Sequence, residues 1–315
     1  MAIQSNIHNW TPDRLANLTG KTYVITGANS GTGYEATKIF LKKGAQVVML
    51  NRNEKKSKKA IDSLKKEFGS DAKVSFVLMD LAVFSSIREA ASEIKNSISH
   101  IDALICNAAV AQTAKQEFTP EGFEYQLGIN HYGHFLLVKL LFDTINDSKG
   151  RIVVVSSEGY KMGLKTIQFD DLNFDSNYNP MTTYCHSKLA QMMFAYELQN
   201  RIQKSNATAG VYVCHPGASR TSLIDEKASK RDRFLFSILS LLPIVQSAEK
   251  GCYPEVMCAT EDPLEQKAYY GPTGTMNWSG PVGKCKLEPF ALDEKIAARL
   301  WEISEQATQC SWNFK

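Results

Sequence analysis

Two side chains in the second half of the sequence have the types and spacing needed to transfer a proton. Tyr184 and Lys188 stand four residues apart, which places a phenol and an ammonium group on one face of a helix. A free phenol has a pKa of about 10 and needs a nearby cation to favour its ionised form. At about 4 Å and an effective dielectric constant of about 20, one cation supplies roughly 4 kcal/mol, enough for a shift of a few pKa units. A phenol so placed could donate a proton to a substrate carbonyl if a nicotinamide lies beside it. A Tyr and a Lys at helical spacing also occur often by chance, so the pair needs support from the rest of the sequence.

A glycine-rich turn near the amino terminus indicates what this pair would act beside. Residues 26–33 read Thr-Gly-Ala-Asn-Ser-Gly-Thr-Gly, between a predicted strand and a predicted helix. Glycines in this context let the backbone turn tightly and approach a pyrophosphate at the helix N-terminus. A glycine-rich segment can also be an ordinary turn with no ligand. Its position between strand and helix favours a nicotinamide dinucleotide site formed by Gly27, Asn29, Ser30, Gly31, Thr32 and Gly33.

The end of the second predicted strand bears on which dinucleotide binds. A dinucleotide fold that prefers NAD usually places an acidic residue there to bind the adenosine ribose. This chain has Asn51 followed by Arg52. An uncharged amide tolerates a 2′-phosphate and a guanidinium group attracts it. We therefore predict NADP(H) rather than NAD(H) as the cofactor. The alternative is that Arg52 is only a solvent-exposed loop residue.

The rest of the sequence supplies the elements that must position these residues. Short apolar runs predict strands at 22–26, 47–50, 74–79, 103–106, 151–156, 210–215 and 269–271. Helical patterns alternate with them at 34–43, 55–68, 83–97, 121–141, 182–203, 248–259 and 293–307. Strands alternating with helices predict a parallel sheet covered on both faces. The expected fold is thus α/β, a doubly wound Rossmann sheet in a single domain over residues 1–315.

The composition argues against several classes of function. The chain has 315 residues and a formal net charge of +3, which gives no reason to expect nucleic acid as a partner. Seven cysteines without CxxC spacing favour reduced thiols over a disulfide framework. No metal is predicted, because His131, His134 and His186 lack the spacing of metal ligands. Neither a signal-peptide pattern nor an apolar run of roughly 20 residues is found, so we expect a cytoplasmic protein.

One segment after the sixth predicted strand has an unusual pattern. Basic residues between 227 and 233 run directly into the apolar stretch 234–245, which is too short to cross a bilayer. We predict a substrate lid over 218–247, and its apolar character indicates a hydrophobic small-molecule substrate. Burial in the core and weak contact with a membrane surface through residues 227–245 are the alternatives.

Further motifs follow one another along the chain. They are Asp80-Leu81, Asn107-Ala108-Ala109, Asn130, Ser156-Ser157, and His215-Pro216-Gly217 followed by Thr221. Together with the glycine turn and the Tyr/Lys pair, they resemble the short-chain dehydrogenase/reductase family in its classical rather than extended form. The resemblance covers residues from about 21 to 301, and within the family the chain is most similar to retinol dehydrogenases and WW-domain oxidoreductase relatives. That closer likeness is carried by residues 184–190, by 215–217 and by the insertion 169–173.

The resemblance implies a role for each matched residue. Tyr184 would be the catalytic acid or base, and Lys188 would also hold the nicotinamide ribose. Ser157, rather than Ser156, would hydrogen-bond the substrate carbonyl, and Asn130 would anchor a water that links Lys188 to solvent. The cofactor would further contact Asp80 and Leu81 at its adenine end, and Asn107, Ala108, Ala109, Pro216, Gly217 and Thr221.

These inferences predict an NADP(H)-dependent oxidoreductase that moves a hydride between nicotinamide and a carbonyl or alcohol of a hydrophobic small molecule. Two other functions fit the same scaffold, a light-dependent protochlorophyllide-type reductase and a non-catalytic NADP(H)-sensing regulator. Such regulators commonly lose the tyrosine or the lysine, and both are present here. Family analogy also leads us to expect a homo-oligomer.

Overall fold

A computed structural model describes residues 7–219 and 245–314, and within them the strands form one mostly parallel sheet. The strands are β1 (Thr22–Thr26), β2 (Gln46–Asn51), β3 (Val74–Leu78), β4 (Ala103–Cys106), β5 (Arg151–Val155), β6 (Gly210–Cys214), β7 (Tyr269–Pro272) and β8 (Val282–Cys285). Their order across the sheet is β3-β2-β1-β4-β5-β6-β7-β8. All neighbouring pairs are parallel except β7 and β8.

Helices cover both faces of this sheet. They are α1 (Gly31–Lys42), α2 (Glu54–Phe68), α3 (Phe84–Ser97), α4 (Tyr125–Leu127), α5 (His134–Asp147), α6 (Pro180–Gln203), α7 (Ala248–Thr260) and α8 (Glu294–Thr308). A π-helical segment, Gly128–Gly133, joins α4 to α5. Helices α1, α2 and α7 pack on one face and α3, α5, α6 and α8 on the other.

The two faces have separate cores because side chains alternate along each strand. Val24 of β1 packs with Phe135 of α5, whereas the next residue, Ile25, packs with Phe40 of α1. Burial on both faces explains why the strands read as continuous apolar runs in the sequence. The prediction of a doubly wound α/β sheet is confirmed.

Two details of the predicted element order were wrong. The helix predicted over 121–141 begins at Tyr125 and continues through the π segment to Asp147, because Gly122 has a φ of +85° and closes a turn by donating to Thr119 O. Strand β8 was not predicted, because Val282–Cys285 holds four residues and contains a glycine. Thr221 and most of the predicted lid, 218–247, lie outside the described residues.

Candidate active site

The predicted site residues gather at one edge of the sheet. Parallel strands end on the same edge, and there β1, β4, β5 and β6 lead into the glycine turn and the motifs that begin at Asn107, Ser156 and His215. The chain order reverses between β1 and β4, the position at which doubly wound sheets form a ligand crevice. The fold therefore brings motifs together that are up to almost 200 residues apart in sequence.

The glycine turn has the backbone shape that its sequence predicts. Gly27 and Gly31 have φ values of +67° and +60°, a left-handed region that glycine adopts without strain. A Cβ atom at Gly33 would lie 2.5 Å from Asn107 Nδ2 and 2.9 Å from the Gly27 carbonyl oxygen. Ser30 is the N-cap residue of α1, so the glycine turn leads directly into the first backbone amides of that helix. The glycines carry no side chains that would block access to these amides. This arrangement fits a pyrophosphate.

Asn107 and Ala108, which follow β4, hold the glycine turn in place. Asn107 Nδ2 donates to the Thr26 carbonyl oxygen at 2.8 Å, and Asn107 Oδ1 accepts from Thr32 Oγ1 at 2.8 Å. The Ala108 amide donates to Thr26 Oγ1 at 2.9 Å, and the half-buried Ala109 follows directly. The predicted cofactor residues after β1 and β4 therefore form one hydrogen-bonded unit.

The last residue of β2, Asn51, carries a buried amide without a partner. Asn51 is 2% exposed, and within the described part of the chain neither Nδ2 nor Oδ1 has a hydrogen-bond partner. An unsatisfied buried polar group costs roughly 1 to 3 kcal/mol. Because doubly wound folds bind the adenosine ribose at this position, the residues present fit a dinucleotide. Next to it, Arg52 Nη1 donates to the Tyr125 hydroxyl at 3.2 Å.

Asp80 and Leu81 lie beside this residue, after β3. The Met79 amide donates to the Asn51 carbonyl oxygen at 3.0 Å, which joins the ends of β2 and β3. Asp80 Oδ1 accepts from the Ala82 amide at 2.9 Å, and a Cβ atom at Gly133 would lie 2.5 Å from the Leu81 carbonyl oxygen. The predicted adenine-contacting pair thus directly follows a residue that is bonded to the end of β2.

Tyr184 and Ser157 meet at the end of β5. Tyr184 is 7% exposed, and a Cβ atom at Gly159 would lie 3.3 Å from both Ser157 Oγ and Tyr184 Cε1, so the two side chains are neighbours. Ser157 Oγ also accepts from the Gly159 amide at 3.1 Å. Ser156 is directed elsewhere, because its Oγ donates to the Lys188 carbonyl oxygen at 3.1 Å. Ser157, rather than Ser156, is thus the serine whose hydroxyl lies beside Tyr184, and its role toward a substrate stays a prediction.

Lys188 is buried beneath this pair. Its Nζ donates to the Val155 carbonyl oxygen at 3.0 Å and to Gln191 Oε1 at 2.8 Å, and lies 5.9 Å from the centre of the Tyr184 ring. Burial lowers the pKa of Lys188 to about 7. Gln191 was not predicted; the available signal was its position three residues after Lys188 on the same helix.

The protonation of Tyr184 differs from the expectation that a neighbouring cation would lower its pKa. Burial raises the pKa of Tyr184 to about 12, and the hydrogen bond to Ser157 opposes this shift. Removal from water disfavours the phenolate, and the same burial disfavours the lysine cation that should stabilise it. In the protein alone, Tyr184 is therefore a protonated phenol at neutral pH.

Asn130 lies in the π-helical segment and is fully buried. Its Oδ1 accepts from the Val110 amide at 2.9 Å, and its Nδ2 donates to the Val110 carbonyl oxygen and to Ser187 Oγ. The Asn130 carbonyl oxygen accepts from His134 Nδ1, so that His134 Nε2 accepts from Thr26 Oγ1. Asn130 thus connects α6 with the glycine turn, and its role toward Lys188 through a water stays a prediction.

The turn after β6 also requires glycine. Gly217 has a φ of +63°, and a Cβ atom there would overlap the Trp278 carbonyl oxygen. The Pro216 carbonyl oxygen accepts from Ser219 Oγ at 2.6 Å and from Gln246 Nε2 at 2.7 Å. The structure therefore fixes Pro216 and Gly217 at the same sheet edge as Ser157.

Two further searches cover the described ranges, 7–219 and 245–314. Their His, Cys, Asp and Glu side chains form no cluster of three or more that could hold a metal ion. None of their helices combines the length and apolar character needed to cross a membrane.

The sequence and the fold of this chain are similar to those of known proteins. A sequence profile described as short chain dehydrogenase matches residues 21–169. Human retinol dehydrogenase 14 is 37% identical over 91% of this chain and 85% of its own length, and the human WW domain-containing oxidoreductase is 32% identical over 93% and 69%. The crystal structure of an uncharacterized protein from Mycobacterium paratuberculosis has a TM-score of 0.77 and 29% identity, covering 97% of this chain and 99% of its own.

The identity and coverage of these relatives establish the family. The chain belongs to the short-chain dehydrogenase family, as its motifs predicted, with retinol dehydrogenase-like members among its relatives. Proteins of this family are oxidoreductases that use nicotinamide cofactors and act on alcohol or carbonyl groups. The chain is therefore an oxidoreductase of this type.

Proposed function

We propose that this short-chain dehydrogenase reduces a carbonyl, or oxidises the corresponding alcohol, on a hydrophobic small molecule and that it uses NADP(H). The observation that carries the proposal is the Tyr184 hydroxyl, paired with Ser157 at the sheet edge that also holds the glycine turn. A proton donor and a dinucleotide site at one edge are what hydride transfer to a carbonyl requires.

The bound nicotinamide supplies or accepts the hydride, and the side chains of this chain handle the proton. Tyr184, with a pKa of about 12, holds a proton at neutral pH and is in the form needed to protonate a carbonyl oxygen. The Ser157 hydroxyl is placed to hydrogen-bond the same oxygen as negative charge develops on it. Lys188, with a pKa of about 7, is balanced between its two protonation states near neutral pH, which suits a group that returns a proton to Tyr184.

The preference for NADP(H) is supported at the end of β2. A carboxylate there would repel a 2′-phosphate, and Asn51 presents a neutral amide instead. The guanidinium group of Arg52 is held on one side by the Tyr125 hydroxyl. Ordering a long cationic side chain before the ligand arrives reduces the entropy lost on binding.

A hydrophobic substrate is supported by the surroundings of Tyr184. Its ring packs with Ala111 and Cys185 in a small apolar cluster. One turn earlier on α6, Met181 is 41% exposed, and unbranched methionine side chains adapt to apolar ligands of irregular shape. Retinol, which the names of several relatives contain, is an apolar alcohol of the expected class.

Replacement of Tyr184 by phenylalanine tests the proposal. The Tyr184→Phe variant removes the proton donor and preserves the ring, so it should bind NADPH normally. Its kcat should fall by about 100-fold or more, the size of a general-acid contribution. NADPH consumption with a panel of apolar aldehydes and ketones measures kcat, and fluorescence titration measures the Kd for NADPH.

The matched control is Tyr196→Phe on the same helix. The Tyr196 hydroxyl donates to the Ala268 carbonyl oxygen in the core, so its loss should affect stability and leave kcat within about twofold. Unchanged turnover in Tyr184→Phe would refute the assigned acid. NADPH binding by the wild type without consumption of any substrate in the panel would favour the non-catalytic regulator instead.

A further inference from the structure

The loops that follow β5 and β6 are joined by a buried contact that has no part in the chemistry described so far. These two strands are adjacent and parallel, with Val155 opposite Cys214. The residues that follow them therefore leave the sheet side by side. They are Ser157 and Glu158 after β5, and His215 after β6.

Glu158 uses its two carboxylate oxygens differently. Oε2 accepts from Lys161 Nζ at 2.7 Å within the same short 3-10 helix. Oε1 is shielded from solvent, has no hydrogen-bond partner among the described residues and lies 3.5 Å from His215 Nε2. That distance is long for a hydrogen bond, and such contacts in active sites often shorten only when the substrates are bound.

The tautomer of His215 places its proton on Nε2, which hydrogen-bonds Cys285 Sγ and lies near this carboxylate. His215 is 1% exposed, and its Nδ1 accepts from the Gly217 amide at 3.2 Å. A neutral imidazole that accepts at one nitrogen carries its proton on the other. Nε2 is therefore the donor, and it faces Glu158 Oε1 and Cys285 Sγ, each 3.5 Å away. Burial, with a further effect of Lys161, lowers the pKa of His215 to about 3, so the ring stays neutral.

The neighbouring strand holds the imidazole in this orientation. The ring stacks on Tyr269 with a centroid distance of 4.7 Å and an interplanar angle of 26°. A Cβ atom at Gly271 would overlap the imidazole at Nε2, so a glycine is needed there for the ring to fit. The ring is thus fixed by its face, by its edge and by the Gly217 amide.

We propose that His215 and Glu158 are a positioning pair that sets the separation between the Ser157 hydroxyl and the Pro216–Gly217 turn. Glu158 directly follows Ser157 in the loop after β5. The His215 imidazole accepts from the Gly217 amide in the loop after β6 and also lies near Glu158, so this one side chain contacts both loops. This inference rests on the proposed function, in which Ser157 binds the substrate carbonyl and the turn lies beside the nicotinamide. In this proposal the pair acts through Ser157 and the turn, not on the substrate itself.

One substitution at His215 and one at Glu158 test the contact between the two side chains. His215→Asn places a polar atom near the position of Nδ1 and keeps a partner for Gly217, but it cannot reach Glu158. Glu158→Gln removes the charge from the other side of the contact and leaves an amide oxygen to accept from Lys161. We expect each variant, and the double variant, to bind one NADPH per chain and to lose about 10-fold in kcat per bound site, because the substitutions break one shared interaction.

Stability and activity are separated by a control at another buried histidine. His131 bonds Ser304 Oγ of α8 at 2.8 Å, so His131→Asn should lower the unfolding free energy and leave kcat per bound NADPH unchanged. Equal losses in the single and double variants would support the pair. Additive losses, or wild-type kcat in either single variant, would overturn it.

A second readout keeps this inference distinct from the proposed function. Fluorescence of bound NADPH reports how the reduced nicotinamide is held, whether or not a substrate is turned over. His215→Asn and Glu158→Gln should change this emission in the same way, and the His131→Asn control should not. If the wild type binds NADPH but reduces no carbonyl, the proposed function fails; unchanged emission in both pair variants would refute the pair.

Discussion

The phenol of Tyr184 and the ammonium group of Lys188 are both removed from water, and each loses part of its preference for the charged form. Charge attraction between them would favour the ion pair, but the ammonium lies 5.9 Å from the phenol ring and is already bonded to Val155 and Gln191. Burial therefore decides the protonation of both groups in the protein alone. The resting state is that of a proton donor, which suits carbonyl reduction.

Arg52 allows a prediction about cofactor choice at the same scale. Arg52→Gln should raise the KM for NADPH by about 10- to 100-fold, because hydrogen bonds to charged groups contribute roughly 1.5 to 3 kcal/mol. The KM for NADH should change little, since NADH lacks the 2′-phosphate. Steady-state kinetics with both cofactors measure the ratio.

Lys58→Gln is the matched control for this substitution. It removes one positive charge from helix α2, where Lys58 pairs with Glu54 at 2.6 Å on an exposed surface. It should leave the ratio of the two KM values unchanged. A similar rise in both KM values for Arg52→Gln would contradict a 2′-phosphate contact.

At the scale of whole elements, helix α8 and the residues after it cover the helices that carry the proposed catalytic groups. Trp301 of α8 lies edge-on to Phe135 of α5, with ring centroids 5.1 Å apart. Trp312, in the segment after α8, packs against Trp301 and Phe135 at 4.8 and 5.8 Å. Helix α6 is buried along most of its length as a result, which keeps Tyr184 and Lys188 in a fixed orientation.

Trp312 should therefore contribute strongly to stability although it lies near the end of the chain. Trp312→Ala should lower the free energy of unfolding by about 3 kcal/mol, the usual cost of removing a buried aromatic side chain. Denaturant unfolding followed by circular dichroism measures the change. Phe118→Ala, at a residue that is 48% exposed, should change it by less than about 1 kcal/mol, and an equal effect of the two would contradict this account.

At the scale of the whole molecule, buried imidazoles make stability depend on pH. Burial lowers the pKa to about 3 or 4 in four histidines, namely His131, His134, His186 and His215. Between those values and about 6.5 the unfolded chain binds more protons than the folded one, so stability falls as the pH is lowered through that range. Two buried carboxyl groups, Glu124 and Glu255, have raised pKa values and act in the opposite direction. The four imidazoles outnumber them, and we expect a net loss of stability in acid.

His131→Asn isolates one of these contributions. Between pH 7 and pH 5 the wild type should lose about 2 kcal/mol more unfolding free energy than the variant. The reason is that pH 5 lies about 1.5 pH units below the ordinary histidine pKa of about 6.5, and each pH unit contributes about 1.4 kcal/mol. Urea unfolding at the two pH values measures the difference. His8→Asn, at an exposed residue, should keep the wild-type pH dependence, and parallel curves for wild type and His131→Asn would contradict the assignment.

Much of the fold could be predicted because local signals agreed with the final structure. The alternation of strands and helices was correct from β1 to β7, since strands buried on both faces leave long apolar runs. The start of α4 and strand β8 could not be predicted. The turn closed by Gly122 ends before the helix starts, but the apolar spacing of the sequence continues through it and gives no sign of the turn. The four residues of β8 form a strand because β7 lies beside them.

The same division holds for the site. The sequence by itself identified Tyr184, Lys188, Ser157 and the glycine turn as candidate site residues, because their types and order match the motifs of the short-chain dehydrogenase family. The tertiary structure alone decided that the Asn51 side-chain amide has no partner among the described residues, that Lys188 is bonded to Val155 and Gln191, and that His215 lies near Glu158. These properties depend on which atoms meet across neighbouring strands and on how much water is excluded there. Both are set by packing between segments far apart in the chain, which residue types and spacing do not encode.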